Sequence, residues 1–155
     1  MPVKSFQGER AKKVKVTPTK LTVENIMTSQ LVIFSPEQSI HEVMSAFIKH
    51  RISGGPVVDE SGQLVGVISE ADCMKEISDS RYFNLPILDK SVAHFMTKEV
   101  DTIDASTSVF DAASLFSKSS RRRFPVMKNN RLVGQVSRKD IVIAALEMKS
   151  QTWRS

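Results

Sequence analysis

Two stretches of the chain carry the residue types that could hold an anion or a sugar. "GVISEAD" spans Gly66–Asp72 and "GQVSRKD" spans Gly134–Asp140. Each has a glycine, a short strand-like run, a serine, and an aspartate three residues after the serine. Two chemistries fit that spacing. A serine at a helix N-cap accepts a backbone N–H of the first turn, and an acid three residues on sits well by the positive end of the helix dipole. The same serine, at a strand end that opens a helix, stands where unpaired N–H groups attract an anion. Its hydroxyl could add a bond to phosphate, and the aspartate could accept bonds from a ribose diol. Spacing alone leaves both readings open.

Other reactive constellations are absent from the sequence. His41, His50 and His94 lie far apart without ligand-like spacing, so no metal site is expected. Neither a nucleophile–base pair, nor a P-loop, nor a dinucleotide fingerprint is present, and the expectation is that the chain is not an enzyme. Cys73 is the single cysteine; it sits beside a helical pattern and reads as a small core residue. One cysteine allows no internal disulfide, which fits a reducing, cytoplasmic setting. No apolar run approaches the about 20 residues of a membrane span. The first twenty residues are basic and polar, without the apolar core of a secretory signal.

Charge is distributed unevenly. The net +5 resides in residues 1–20, which hold six basic residues against Glu9 alone. This stretch lacks apolar periodicity and reads as a flexible solvated tail, with contact to nucleic acid or an anionic surface as the alternative. Residues 21–90 carry five basic and ten acidic residues, whereas 91–155 carry eleven and six.

The elements that would position the two serines come from an internal duplication. "VENIMT" (Val23–Thr28) aligns with "VAHFMT" (Val92–Thr97) at an offset of 69, which also brings Ser39 onto Ser108, Phe47 onto Phe116 and Pro56 onto Pro125. One residue drops out near Gly62, and Leu64–Gly66 then matches Leu132–Gly134 at an offset of 68. A register held this long, broken only at a turn, is the mark of a repeat. Each copy predicts the order strand, helix, strand, strand, helix. The first extended segments are "LVIFS" and "VDTID". The first helices carry apolar stripes (Ile40, Val43, Met44, Phe47, Ile48; Val109, Ala112, Ala113, Phe116) behind Ser39 and Ser108 as N-caps. Strand pairs flank "DESGQ" and "KNNR", and final helices are predicted from Glu70 to about Ser78 and from Arg138 to about Met148. The domain reading is a tail at 1–20, a first unit at 21–79, a connector at 80–90, a second unit at 91–148 and a C-terminal tail at 149–155.

With the duplication, the "MT" before each first strand, "HRISGGPVVDESGQLVGVISEAD" and "RRRFPVMKNNRLVGQVSRKD", the chain resembles the CBS domain family, as a tandem pair (a Bateman module) over about Leu21 to Met148. The resemblance implies an α/β (α+β) fold of two pseudo-twofold-related βαββα units packed sheet to sheet. It also implies clefts that take an adenosine-containing ligand such as AMP, ADP, ATP or S-adenosylmethionine. Carried over, one site joins Ser137, Arg138 and Asp140 to Thr28, Ile52, Ser53 and Pro56. The other joins Ser69 and Asp72 to Thr97, Arg121, Arg122, Arg123 and Pro125. Aspartates would hold ribose, serines and arginines phosphate, and apolar residues the adenine.

The function implied is a non-catalytic sensor with no catalytic cofactor and an adenine nucleotide as regulatory ligand. It would form a homodimer through its helices and signal to a separate, unidentified effector protein. The alternatives are a structural or dimerisation scaffold whose clefts are vestigial, or nucleic-acid contact through the tail and "RRR", which lacks interleaved aromatics.

Overall fold

The computed structural model describes residues 21–82 and 90–153; the basic tail, residues 83–89 of the connector and the last two residues lie outside them. Within that range the elements are α1 (Val23–Ile26), α2 (Ile40–His50), β1 (Gly54–Val58), β2 (Leu64–Ser69), α3 (Glu70–Tyr82), α4 (Val92–Phe95), β3 (Ile103–Asp104), α5 (Val109–Lys118), β4 (Arg123–Lys128), β5 (Arg131–Ser137) and α6 (Arg138–Trp153). The final helices thus run further than the sequence pattern predicts, to Tyr82 and Trp153, because no glycine or proline interrupts either segment.

Residues 32–100 form one compact unit, here the Ser69 unit. Its helix α2 is held at the start by Ser39, whose Oγ accepts from the Glu42 N–H at 3.1 Å. The helix ends at Arg51, in the left-handed conformation with φ 54°. Ile40, Val43 and Phe47 face a core shared with Phe34, Val57, Ile68, Cys73 and Val92. Ile48 continues the stripe in sequence but is 80% exposed, so the buried face is narrower than the apolar pattern. Phe34 meets Phe47 edge to face at 5.6 Å. Strands β1 and β2 pair antiparallel, with Gly54 opposite Ser69 and Pro56 opposite Val67. The expected "LVIFS" strand reduces to a single parallel bridge from Phe34 to Val57. Gly54 and Gly55 are buried in β1. A Cβ on Gly55 would lie 2.9 Å from both the Phe34 ring and the Val32 carbonyl oxygen.

Residues 21–31 together with 101–153 form the other compact unit, here the Ser137 unit. Ser108 caps α5 by accepting from the Asp111 N–H at 3.0 Å. Val109, Ala112 and Phe116 join Val23, Ile26, Phe124, Val126, Val136 and Ala144 in the core. β3 pairs parallel with β4, and β4 antiparallel with β5. Asn129 and Asn130, both at positive φ (52° and 61°), make the two-residue turn that the twist of a hairpin favours.

The compact units do not follow the linear order of the repeats. The "MT" segment of each repeat pairs with the second hairpin strand of the other. Thr28 exchanges two backbone bonds with Gln135, both 2.9 Å, and Thr97 exchanges two with Val67 at 2.9 and 3.0 Å. The glycine of each repeated phrase makes this approach possible. A Cβ on Gly134 would stand 2.6 Å from Met27 Sδ and 2.7 Å from the Thr28 carbonyl oxygen; one on Gly66 would stand 2.8 Å from Met96 Sδ and 2.9 Å from the Thr97 carbonyl oxygen.

Candidate ligand sites at the two Ser-x-x-Asp helix starts

Ser69 ends β2 and Glu70 begins α3; Ser137 ends β5 and Arg138 begins α6. At the second junction the capping box is reciprocal. The Ser137 N–H donates to Asp140 Oδ2 at 2.9 Å, and the Asp140 N–H donates to Ser137 Oγ at 3.2 Å. At the first junction the Ser69 N–H and hydroxyl both donate to Asp72 Oδ2, at 2.9 and 3.1 Å. Each aspartate is only 7% exposed. The full capping box is therefore present at Ser137, and its aspartate-to-serine half at Ser69. A carboxylate has about four acceptor positions, so one such cap does not exhaust it.

Next to each junction lies the segment that leads into the first hairpin strand of the same repeat. The Glu70 N–H donates to the Ser53 carbonyl at 3.0 Å, and the Arg138 N–H to the Arg122 carbonyl at 3.1 Å. Gly54 is registered with Ser69, and Arg123 with Ser137. The hairpins place each of these segments with the serine of its own repeat. Ile52, Ser53 and Pro56 belong to the Ser69 unit, and Arg121, Arg122, Arg123 and Pro125 to the Ser137 unit, because a hairpin keeps its two strands adjacent. Only the threonines come from the other repeat: Thr97 beside the strand of Ser69, Thr28 beside that of Ser137. Pro56 and Pro125 are buried within their strands.

The arginines do not act alike. Arg138 donates from Nε to the Arg121 carbonyl at 2.9 Å and from Nη2 to the Ser119 carbonyl at 3.1 Å, so two of its donors hold the loop. Arg121 pairs with Asp101 at 3.1 Å. Arg122 is exposed, with no side-chain partner among the described residues. The Arg138 lock and the Asp101 pair escape a sequence reading, since neither has a fixed spacing; the paired "MT" and glycine signals were visible but carried no hint that they touch. Beneath the Ser69 site, Cys73 is buried, and burial followed by the nearby Asp72 and Glu70 charges pushes its thiol up to about 11.

Residues 23–79 and 92–147 each match the CBS domain. The chain belongs to the CBS domain family. It is a tandem CBS pair, and similar proteins share the architecture. It is 30% identical to the chloroplastic CBS domain-containing protein CBSX1 of Arabidopsis thaliana over 154 residues, covering 83% of this chain and 65% of that protein. The crystal structure of CBSX2 in complex with AMP superposes with a TM-score of 0.73 at 30% identity, covering 83% of this chain and 98% of that one. The CBS domain pair of protein MJ0100, in complex with 5-methylthioadenosine and S-adenosyl-L-methionine, gives 0.66 at 30% identity, covering 81% and 96%. No helix among the described residues is long and apolar enough to cross a membrane.

Proposed function

We propose that this CBS pair is a non-catalytic regulatory sensor that binds an adenosine-containing ligand at each Ser-x-x-Asp helix start. The observation that carries the reading is the repeated geometry. In both units a helix N-terminus, a serine at the strand end and a nine-tenths-buried aspartate adjoin a hairpin entry held by one backbone bond. CBSX2 with AMP and the MJ0100 pair with its two adenosine compounds support the ligand class. The aspartates accept ribose hydroxyls, and the helix N-termini, with Ser69 and Ser137, face the 5′ substituent. Ile52 with Pro56, and Pro125 in the other unit, bound the adenine. Binding shifts conformation only through differential affinity for two states, and a separate effector protein reads the result. A homodimer is supported by apolar side chains left exposed on the helices, Met74 and Ile77 on α3 and Val142 and Leu146 on α6.

A scaffold reading rests on the Ser137–Asp140 capping box, which is complete without a ligand. Calorimetry with AMP, ADP, ATP and S-adenosylmethionine on Asp140→Asn and Asp140→Ala separates the two. A ribose acceptor lost at Asp140 weakens binding by about 10- to 150-fold. If affinity is unchanged and only the unliganded protein is destabilised, the aspartate is a cap alone.

A further inference from the structure

The two helix starts have the same backbone and opposite charge. Equivalent bonds, from Glu70 to Ser53 and from Arg138 to Arg122, fix the correspondence, as does the registry of Gly54 with Ser69 and of Arg123 with Ser137. At the four matched positions the Ser69 unit has Ile52, Ser53, Gly54 and Glu70, and the Ser137 unit has Arg121, Arg122, Arg123 and Arg138. Over residues 51–54 with 70–72 there is one basic residue, Arg51, against two acidic. Over 120–123 with 138–140 there are five basic against one.

From this we infer that the two sites take adenosine ligands of different charge: a phosphate-bearing one at Ser137 and a phosphate-free one at Ser69. The assignment rests on the adenosine reading above. At Ser137 the helix dipole and the arginine loop act in the same direction on an anion. Arg138 holds that loop by its two carbonyl bonds, which keeps Arg122 exposed beside the helix start. Glu70, exposed in the first turn of α3, opposes the dipole for any incoming anion, and its carboxylate side chain offers no donor to brace the 51–53 segment as the Arg138 fork braces its loop. A neutral or cationic 5′ substituent meets no such penalty there.

The test uses the full chain, with AMP and adenosine as probes, titrated by calorimetry against the parent, Arg122→Ser, Glu70→Arg and Arg138→Lys. All three positions are exposed, and a melting curve verifies that each variant is folded. Removing Arg122 lowers AMP affinity at one site by about tenfold, the loss of one charge-assisted contact, and flattens its salt dependence while adenosine binding stays put. Glu70→Arg raises AMP affinity at the other site by a similar factor, again without moving adenosine. Arg138→Lys keeps the charge but loses the fork, so AMP affinity falls while the salt slope remains that of the parent. Substitutions that shift AMP and adenosine by equal factors, or leave the AMP-to-adenosine ratio untouched, overturn the charge assignment and leave the adenosine reading standing. Failure of the parent to bind either probe at millimolar concentration refutes both.

Discussion

Replacing Gly134 by alanine would place a methyl carbon 2.6 Å from Met27 Sδ, 3.0 Å from Met27 Cγ and 2.7 Å from the Thr28 carbonyl oxygen. The thioether can swing aside, but the carbonyl belongs to the backbone and is held in place by its bond from the Gln135 N–H at 2.9 Å. To admit the methyl, the Thr28 segment must lift from β5. Two backbone bonds are then lost or lengthened, about 0.5–1.5 kcal/mol each. Repacking Met27 in an overfilled core adds about 1–3 kcal/mol. Together the cost is about 2–6 kcal/mol, which at about 2–4 °C per kcal/mol for a chain of this size lowers the melting temperature by about 4–24 °C. Urea titration should show the loss as a lower midpoint at unchanged slope. Gly62→Ala is the control. Gly62 also demands glycine, at φ 86°, but nothing lies within 4 Å of its would-be Cβ. That change carries backbone strain alone, about 1 kcal/mol. If Gly134→Ala stays within about 0.5 kcal/mol of the parent, or costs no more than Gly62→Ala, the glycine is not there to admit Met27 and Thr28.

Cys73, with its thiol pushed up to about 11, should react with an aromatic disulfide reagent at pH 8 only as the protein unfolds; labelling as fast as a free thiol would show that α3 opens readily. The Ser61 hydroxyl first, then the Gln63 N–H, hold Asp59 below its ordinary 3.8, and the Ser106 hydroxyl and N–H do the same for Asp104. Both groups thus add stability that is present above the unfolded value and lost as pH falls through the folded one. Carbon-detected NMR titration should place both midpoints below 3.8, and Asp59→Asn or Asp104→Asn should reduce the loss of stability in that acidic window. Glu76 is 1% exposed, accepts from the Ser80 hydroxyl at Oε1 and has no partner at Oε2 among the described residues. Glu76→Met should raise stability by about 1–3 kcal/mol; a fall in the urea midpoint would show that the carboxylate has a stabilising partner in solution.

The repeat, the hairpins and the Ser39 and Ser108 caps were legible because each rests on local chemistry: an apolar period, a turn residue, a hydroxyl before a helix. The exchange of the "MT" segments was not. It is made by backbone bonds at Thr28 and Thr97 and by the absence of a side chain at Gly134 and Gly66, and none of these leaves a periodic trace. The extent of the "LVIFS" strand was overread for a related reason. Its residues have strand propensity, but among the described residues only Phe34 finds a strand partner, and Ile33 is 52% exposed. At the candidate sites the hairpins set the residues beside the serine of their own repeat, which the carried-over pattern does not. Carrying over a family pattern assigned Ser53 and Arg122 to the opposite serines, whereas hairpin registry puts Gly54 across from Ser69 and Arg123 across from Ser137. Arg138 was legible as a charge but not as a brace, because its acceptors are main-chain carbonyls.

In the proposed function, capping and ligand binding would meet at the same atoms, and the spacing explains why. An N-cap serine reaches the N–H of the third helical residue, and that residue's side chain reaches back to the serine N–H. The cap thereby fixes the aspartate side chain through Oδ2 before any ligand arrives. A ribose diol approaching the helix start then meets a carboxylate whose rotamer is already set, so less conformational entropy is lost on binding than with a mobile acid. On this reasoning an aspartate at that position serves the ligand through the cap. The two roles share one carboxylate, and only Asn, which keeps an acceptor for the serine N–H while removing the charge, separates them. The difference between Asn and Ala at position 140, read once as stability and once as affinity, measures how much of the repeated phrase belongs to the fold and how much to the ligand.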